Sequence, residues 1–292
     1  PPVRIQDNMQ LPPNTYVIKV KDIECGKVNI RPDMLMVMDP KGGQISLPGE
    51  DTTEPAFGLP AKWVAETHRE EALFRNYTVV DPPTVITTHL TETMKENIAE
   101  LLSYGETQNL LDKIKEGNKK LVEDTIPGQV TITALQRILQ NLLKEQVSIR
   151  DLPTILEAVS ESARVTQNIN SITEHVRGRL ARQISYSNAS HDGIITMVSM
   201  SPMWEQLFTE NIVGEGAERQ LAIPPTKLHD FIAKVKEVYD GLAAKGELPV
   251  LLTSPSIRPY VRAVIERFRP SIVIMSQNEV HPKAKIRNLG QV

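Results

Sequence analysis

Cysteine is almost absent: Cys25 is the only thiol in 292 residues. A lone cysteine excludes an intrachain disulfide and any metal site built on several thiolates, and it fits a reducing compartment. Aromatics are scarce too. Five Phe, two Trp and six Tyr are too few for a platform that stacks single-stranded bases. Neither sign of charge dominates, because 33 Lys and Arg stand against 36 Asp and Glu for a formal net charge of -3. Such a chain has no field to collect a polyanion by counterion release, so no nucleic-acid partner is expected. Long apolar runs are missing as well. Pro249-Val250-Leu251-Leu252 and Ile272-Val273-Ile274-Met275 are strand length, far below the roughly 18 to 20 residues that span a bilayer. The start, Pro1-Pro2-Val3-Arg4-Ile5, has neither the charged-then-apolar pattern of a signal peptide nor an initiator Met, as expected of a processed or excised fragment.

What is present is ordinary globular composition, 40% hydrophobic and 24% charged, with length enough for about two domains. Short strands in Pro- and Gly-rich punctuation fill the first eighty residues: Tyr16–Val20, Met34–Met38, Ala61–Val64 and Tyr77–Val80, with a turn at Asp39–Gly43, a loop opening at Leu47–Asp51 and a helix over 66–75. Asp81-Pro82-Pro83 suits a helix start, and Ile86, Leu90, Met94, Ile98 and Leu101 then recur on one helical face. Residues 106–180 read as almost wholly helical. Thr133 with Gln136 and Ser148 with Asp151 fit capping boxes, Leu135, Ile138, Leu139, Leu142 and Leu143 form one apolar stripe, and Ile155, Leu156 and Val159 form another. Strands at 193–199, 248–253 and 271–275 alternate with helices at 225–245 and 256–269. Gly214-Glu215-Gly216 marks a flexible loop, and the tail from Pro282 lacks pattern. The fold class is therefore mixed α/β (α+β).

Motifs for chemistry are missing. There is no Gly-x-x-x-x-Gly-Lys-Ser/Thr phosphate loop, no dinucleotide fingerprint around Gly42-Gly43, and no His-Glu-x-x-His among His68, His89, His175, His191, His229 and His281. Three weaker constellations remain. Thr88-His89 pairs a hydroxyl with a base, and its ordinary reading is a helix hydroxyl beside a surface or capping imidazole. Ser254-Pro255-Ser256-Ile257-Arg258 offers amides and a guanidinium to an anion, and its ordinary reading is a helix cap before an exposed Arg. His175, Arg177, Arg179 and Arg182 put cations at a helix end, where the macrodipole favours them without a ligand. Glu54-Pro55-Ala56-Phe57-Gly58-Leu59-Pro60 holds a Phe in a rigid loop. A buried Phe there is a core plug, and an exposed one a binding anchor.

The segments Arg4-Ile5-Gln6-Asp7-Asn8, Glu54-Pro55-Ala56-Phe57-Gly58-Leu59, Tyr77 through Leu90 (with Asp81-Pro82-Pro83-Thr84), Leu135-Gln136-Arg137-Ile138-Leu139-Gln140-Asn141-Leu142-Leu143 and Val147-Ser148-Ile149-Arg150-Asp151-Leu152-Pro153 come in an order that resembles the cytoplasmic C-terminal region of the FHIPEP (FlhA/LcrD/InvA) family of type III export gates. The form Gln140-Asn141-Leu142-Leu143 with Ile149-Arg150-Asp151 resembles the flagellar members more than the virulence injectisome members, which remain the alternative. An anion- or nucleotide-binding enzyme at Ser254–Arg258 is the reading from another class.

The resemblance implies a docking role without catalysis or cofactor, and an upstream multi-helix membrane part at the bacterial inner membrane. It implies four small subdomains: 1–32 with 82–102, an insert at 33–81 making a second mixed α/β unit, an all-helical unit at 103–180, and an α/β unit at 181–281 followed by a tail at 282–292. It also implies a ring, nonameric in the family, and partners that include the gate partner and the ATPase complex. Flagellar export chaperones carrying late substrates would dock between the first two subdomains. The family's docking dimple maps onto Glu54, Phe57 and Thr88, with Met38, Pro40 and Val80 as neighbours. Glu54 stands where relatives usually have Asp. Docking is expected to be weak and fast-exchanging, and the isolated fragment to be a monomer in dilute solution.

Overall fold

The computed structural model describes residues 3–214, 216 and 219–292, so Glu215 of the expected flexible loop lies outside the described residues. The chain divides into two compact units, Pro1–Leu102 and Ser103–Val292.

The first unit opens with an antiparallel hairpin, β1 (Thr15–Val20) and β2 (Ile23–Asn29). Its two-residue turn, Lys21-Asp22, has φ of 49° and 66°, the mirror-image geometry that matches strand twist. Neither Lys nor a Gly-bearing β2 with alternating charge announces that hairpin in the sequence. The second sheet is antiparallel throughout, in the order β4 (Glu50–Thr53), β5 (Pro60–Ala65), β3 (Met34–Met38), β6 (Thr78–Val80). The loop expected over 47–51 is thus partly strand, since β4 begins at Glu50. Central β3 is apolar at every position because both of its faces are covered. Leu35 and Val37 pack with Val64 and with Ala72 of α1 (Arg69–Phe74), while Met36 packs with Ala61, Trp63 and Val85.

Val85 belongs to α2 (Pro82–Glu96), capped by the Asp81 carboxylate, which accepts from the Thr84 amide at 2.9 Å. The deepest face of α2 is Pro82, Val85, His89 and Thr93, one position round from the expected stripe. Ile86, Leu90 and Met94 are only half-buried, and the helix ends before Ile98, in the short α3 (Ile98–Leu101). The apolar periodicity located the helix and misplaced its buried side, because that side carries an imidazole and a hydroxyl.

The second unit begins with helices α4 (Tyr104–Thr125), α5 (Ile132–Lys144), α6 (Leu152–Ala163), α7 (Ile169–Arg179) and α8 (Ala181–Ser187). Both apolar stripes are buried as read. The caps are not those expected. Thr131, two residues earlier than Thr133, accepts from the Ala134 amide at 3.1 Å, and Asp151 rather than Ser148 caps α6 through the Thr154 amide at 3.3 Å.

A four-stranded, wholly parallel sheet follows, in the order β11 (Ile274–Ser276), β10 (Val250–Thr253), β7 (Ile194–Ser199), β12 (Lys285–Gln291). Helices α9 (Pro202–Glu210), α10 (Pro225–Ala243) and α11 (Arg258–Ile265) pack on it around Trp204, Phe208 and Phe231, and a small ladder joins β8 (Ile212–Val213) to β9 (Gln220–Leu221). The segment expected to be a patternless tail is β12. It pairs with β7, and Val292 beyond it is buried in the core. The strand is mostly exposed, so it lacks the apolar alternation that sequence reading needs. Among the described residues no helix is long and apolar enough to cross a membrane.

Candidate functional site

The loop between β4 and β5 is built by one carboxylate. Glu54 is buried at 4% exposure, and its two oxygens turn back on the loop, Oε1 accepting from the Ala56 amide at 3.0 Å and Oε2 from the Phe57 amide at 2.7 Å. Its own amide donates to the Leu59 carbonyl at 2.8 Å, and its carbonyl accepts from the Gly58 amide at 2.9 Å. Gly58 has φ of 68°, a left-handed value that glycine adopts without a Cβ penalty. The loop is therefore rigid by hydrogen bonding, and it holds Phe57 out at 61% exposure beside Leu59 at 48%. The ring is an exposed anchor and not a core plug.

Of the other mapped residues, Met38 and Val80 pack together against the Met36, Ala61, Trp63 and Val85 cluster. Thr88 is half-buried on α2 one turn beyond Val85, and Pro40 is exposed in the turn after β3, where the Gly42 amide donates to the Asp39 carbonyl. The six residues thus fall into a loop pair (Glu54, Phe57), a sheet pair (Met38, Val80), one helix position and one turn position.

His89 is neither a surface nor a capping imidazole. It is 6% exposed and its Nδ1 lies 2.8 Å from the Tyr16 hydroxyl, with the rings edge to face at 5.7 Å. Burial pushes the Tyr16 phenol up to about 12, reinforced by the charge of Glu54. Burial likewise pushes His89 down, against the opposing pull of Glu54 and Glu96. Both groups are neutral near pH 7, and the tautomer of His89 sets which of the two donates. A Cβ on Gly26 would come within 2.4 Å of the imidazole Cε1, so β2 needs glycine where the ring lies against it. Sequence reading paired His89 with the wrong neighbour, since its partner is 73 residues away.

Beside this ring lies a cleft of about 700 Å³ lined by Cys25 to Asn29, Arg31, Glu50 to Pro55, Gly58, Trp63 and His89. Of the mapped docking residues only Glu54 lines it.

The other two constellations are paired with carboxylates of the chain itself. The Ser254 amide and hydroxyl both donate to Glu205, the amide at 2.9 Å, so a carboxylate of the chain occupies the expected anion position. Arg258 is not exposed: at 1% exposure it pairs with Glu145 at 2.7 Å and with Glu174 and Glu279. Arg177, read as part of a basic helix end, is also buried and pairs with Glu279 at 2.5 Å, whereas Arg179 and His175 share Glu161 at the surface. Among the described residues no three His, Cys, Asp or Glu side chains converge to hold a metal.

The family profile described as the FHIPEP family matches residues 1–285. The chain is 56% identical over all 292 residues to the flagellar biosynthesis protein FlhA of Caulobacter vibrioides, of which it spans 42%, and 35% identical over 292 residues to the FlhA of Bacillus subtilis, of which it spans 43%. The chain thus spans about two fifths of these curated relatives. Among solved structures, the Chlamydia pneumoniae CdsV protein superposes with a TM-score of 0.84 at 28% identity, covering 98% of this chain and 82% of that one. The nonameric EPEC SctV-C shares the fold, with a TM-score of 0.77 at 23% identity over 96% of this chain and 84% of that one.

Proposed function

The chain belongs to the FHIPEP family, and from that premise we propose that it is the cytoplasmic docking platform of a flagellar protein export gate, where export chaperones deliver late, filament-type substrates. The observation that carries this reading is Phe57, held 61% exposed on a loop that Glu54 locks from within. An aromatic on a rigid loop loses little conformational freedom on binding, which is how an interface anchor gains affinity. The half-buried Met38 and Val80 supply apolar surface on the same unit, Met38 with a side chain that adapts to varied partners, and Thr88 supplies a hydroxyl. Glu54 acts by presenting Phe57, so the extra methylene relative to Asp is taken up inside the loop. The identity to flagellar relatives favours a flagellar over an injectisome role. With Ser254 and Arg258 already paired to carboxylates, the enzyme reading has no anion site left to stand on.

The proposal includes a membrane-bound remainder of the protein at the inner membrane and a ring of copies like that of the nonameric relative. Within the chain it divides residues 1–32 with 82–102, 33–81, 103–180 and 181–292, the last now including β12. It is tested by calorimetric titration with a flagellar chaperone bound to its filament-type substrate, beside Phe57→Ala. Micromolar binding abolished by the substitution is the expected result. Binding that survives moves the site, and no binding to any flagellar chaperone refutes the role.

A further inference from the structure

The four-stranded sheet of the first unit carries a second exposed apolar pair at the end where Phe57 stands. Pro60 opens β5 directly after the Phe57 loop, Met38 pairs with Ala61 of β5, and Thr78 at the start of β6 pairs with Met38. The loop over 54–59, the close of β3 with exposed Pro40 beyond it, and the start of β6 therefore share one rim. Helix α1 runs back to this rim before β6 begins. Its last two residues, Leu73 and Phe74, are 55% and 88% exposed. Two to three strand spacings, about 10–15 Å, separate the strand they lead into from the loop that carries Phe57.

The pair is fixed as firmly as Phe57. The Asn76 amide donates to the Leu73 carbonyl at 2.9 Å and the Tyr77 amide to the Ala72 carbonyl at 3.0 Å. With Asn76 at φ of 58°, this is a Schellman closure of the helix. Ala72 and Tyr77 pack into the core beneath it. Arg75 is tied to Glu71 at 2.6 Å and to the Ser46 hydroxyl, and Arg69 is tied to Glu66. Both arginines beside the pair are thus matched within the chain, and what the pair itself offers a partner is apolar. A single exposed Phe is ordinary, whereas two adjacent apolar side chains on a fixed helix end mark an interaction surface.

We propose that Leu73 and Phe74 are a second anchor for the export chaperone that docks at Phe57. The inference rests on the docking reading above and adds a contact on residues to which that reading assigns none. Size points to the same occupant for both anchors. A specific interface covers about 800 Å² on each side, and one Phe side chain buries about 150–250 Å², so the Phe57 loop alone falls short. A small domain is about 30 Å across, wide enough to reach Phe74 once it is seated on Phe57. Two rigid anchors at a set spacing also favour partners whose own pockets match that spacing.

The test is calorimetric titration of the whole chain with a flagellar chaperone bound to its filament-type substrate, run on Phe74→Ala, Phe74→Trp and Phe57→Ala. Phe74→Ala is expected to weaken binding roughly tenfold and to leave the melting temperature unchanged, since the ring meets water. Phe74→Trp restores an aromatic anchor, so parent affinity is expected, with indole emission moving to the blue as the complex covers the ring. Parent affinity in Phe74→Ala, or emission of Phe74→Trp that stays at its exposed value at saturation, overturns the inference. If Phe57→Ala abolishes binding while both Phe74 variants are silent, the second anchor falls and the docking reading stands. If no chaperone complex binds the parent chain, both fall together.

Discussion

At the scale of single residues, the docking loop depends on a buried carboxylate that does not face outward. Hydrogen bonds to a charged acceptor contribute about 1.5–3 kcal/mol, and Glu54 receives two of them from backbone amides. Glu54→Ala is expected to lower the stability of the first unit by about 2–3 kcal/mol and to weaken chaperone binding although Phe57 is intact. Glu54→Asp, with a shorter reach, should cost less on both counts. Thermal unfolding and calorimetry on the same samples check this. His89 makes a pH-dependent prediction. Its folded pKa lies below the ordinary value of about 6.5, so the neutral imidazole is favoured by folding. Its contribution is fully present above about pH 6.5 and is lost as pH falls through the depressed value. Replacing His89 with Gln, which keeps an acceptor but does not titrate, should flatten the dependence of unfolding free energy on pH between about 7.5 and 5.

At the scale of elements, helices were legible where apolar spacing and burial coincide and unreadable where they part. The α5 stripe Leu135, Ile138, Leu139, Leu142, Leu143 is buried along its length, and sequence alone located it. Its cap was misread because Thr131 and Thr133 are both hydroxyl residues, and only the former has its oxygen on a free amide, that of Ala134. Thr131→Ala should therefore cost about 1 kcal/mol, while Thr133→Ala, inside the first turn, should be near neutral. Denaturant midpoints of the two variants distinguish them. Strands were legible where their residues are apolar, as in central β3 and in edge strands β6 and β11, and missed where an edge strand is polar. β4 (Glu50-Asp51-Thr52-Thr53) and β12 carry polar and charged residues because an edge meets water on one side. The candidate site was legible in part: a Phe between Pro and Gly announces a rigid loop, but nothing local says that Glu54 folds inward or that Tyr16 meets His89.

Across the molecule, the least legible feature is the charge cluster inside the second unit. Arg177 and Arg258, on α7 and α11, meet Glu145 after α5, Glu174 on α7 and Glu279 in the turn after β11. These five residues lie up to 134 positions apart, from Glu145 to Glu279, so no window of sequence displays them, and Arg177 reads as a helix-end cation and Arg258 as an exposed Arg after a helix cap. Their effect is to tie the helical segment to the parallel sheet within one unit. Burial alone would raise the Glu145 pKa, but the guanidinium groups of Arg258 and Arg177 outweigh it and hold it below the usual value. That contribution is complete above the ordinary glutamate range near 4.3 and disappears as pH falls through the depressed value. Arg258→Ala leaves three carboxylates facing one arginine, and removing one partner of a buried pair costs about 3–5 kcal/mol. In the variant, protonation of Glu145 relieves a carboxylate that has lost its main partner, whereas in the parent it breaks an ion pair. The deficit should therefore be greatest near pH 7 and shrink toward pH 4, with the two stability curves converging in acid. Urea unfolding of both proteins across that range measures the convergence, and parallel curves would mean that Arg258 stabilises the unit by packing its stem and not by its charge.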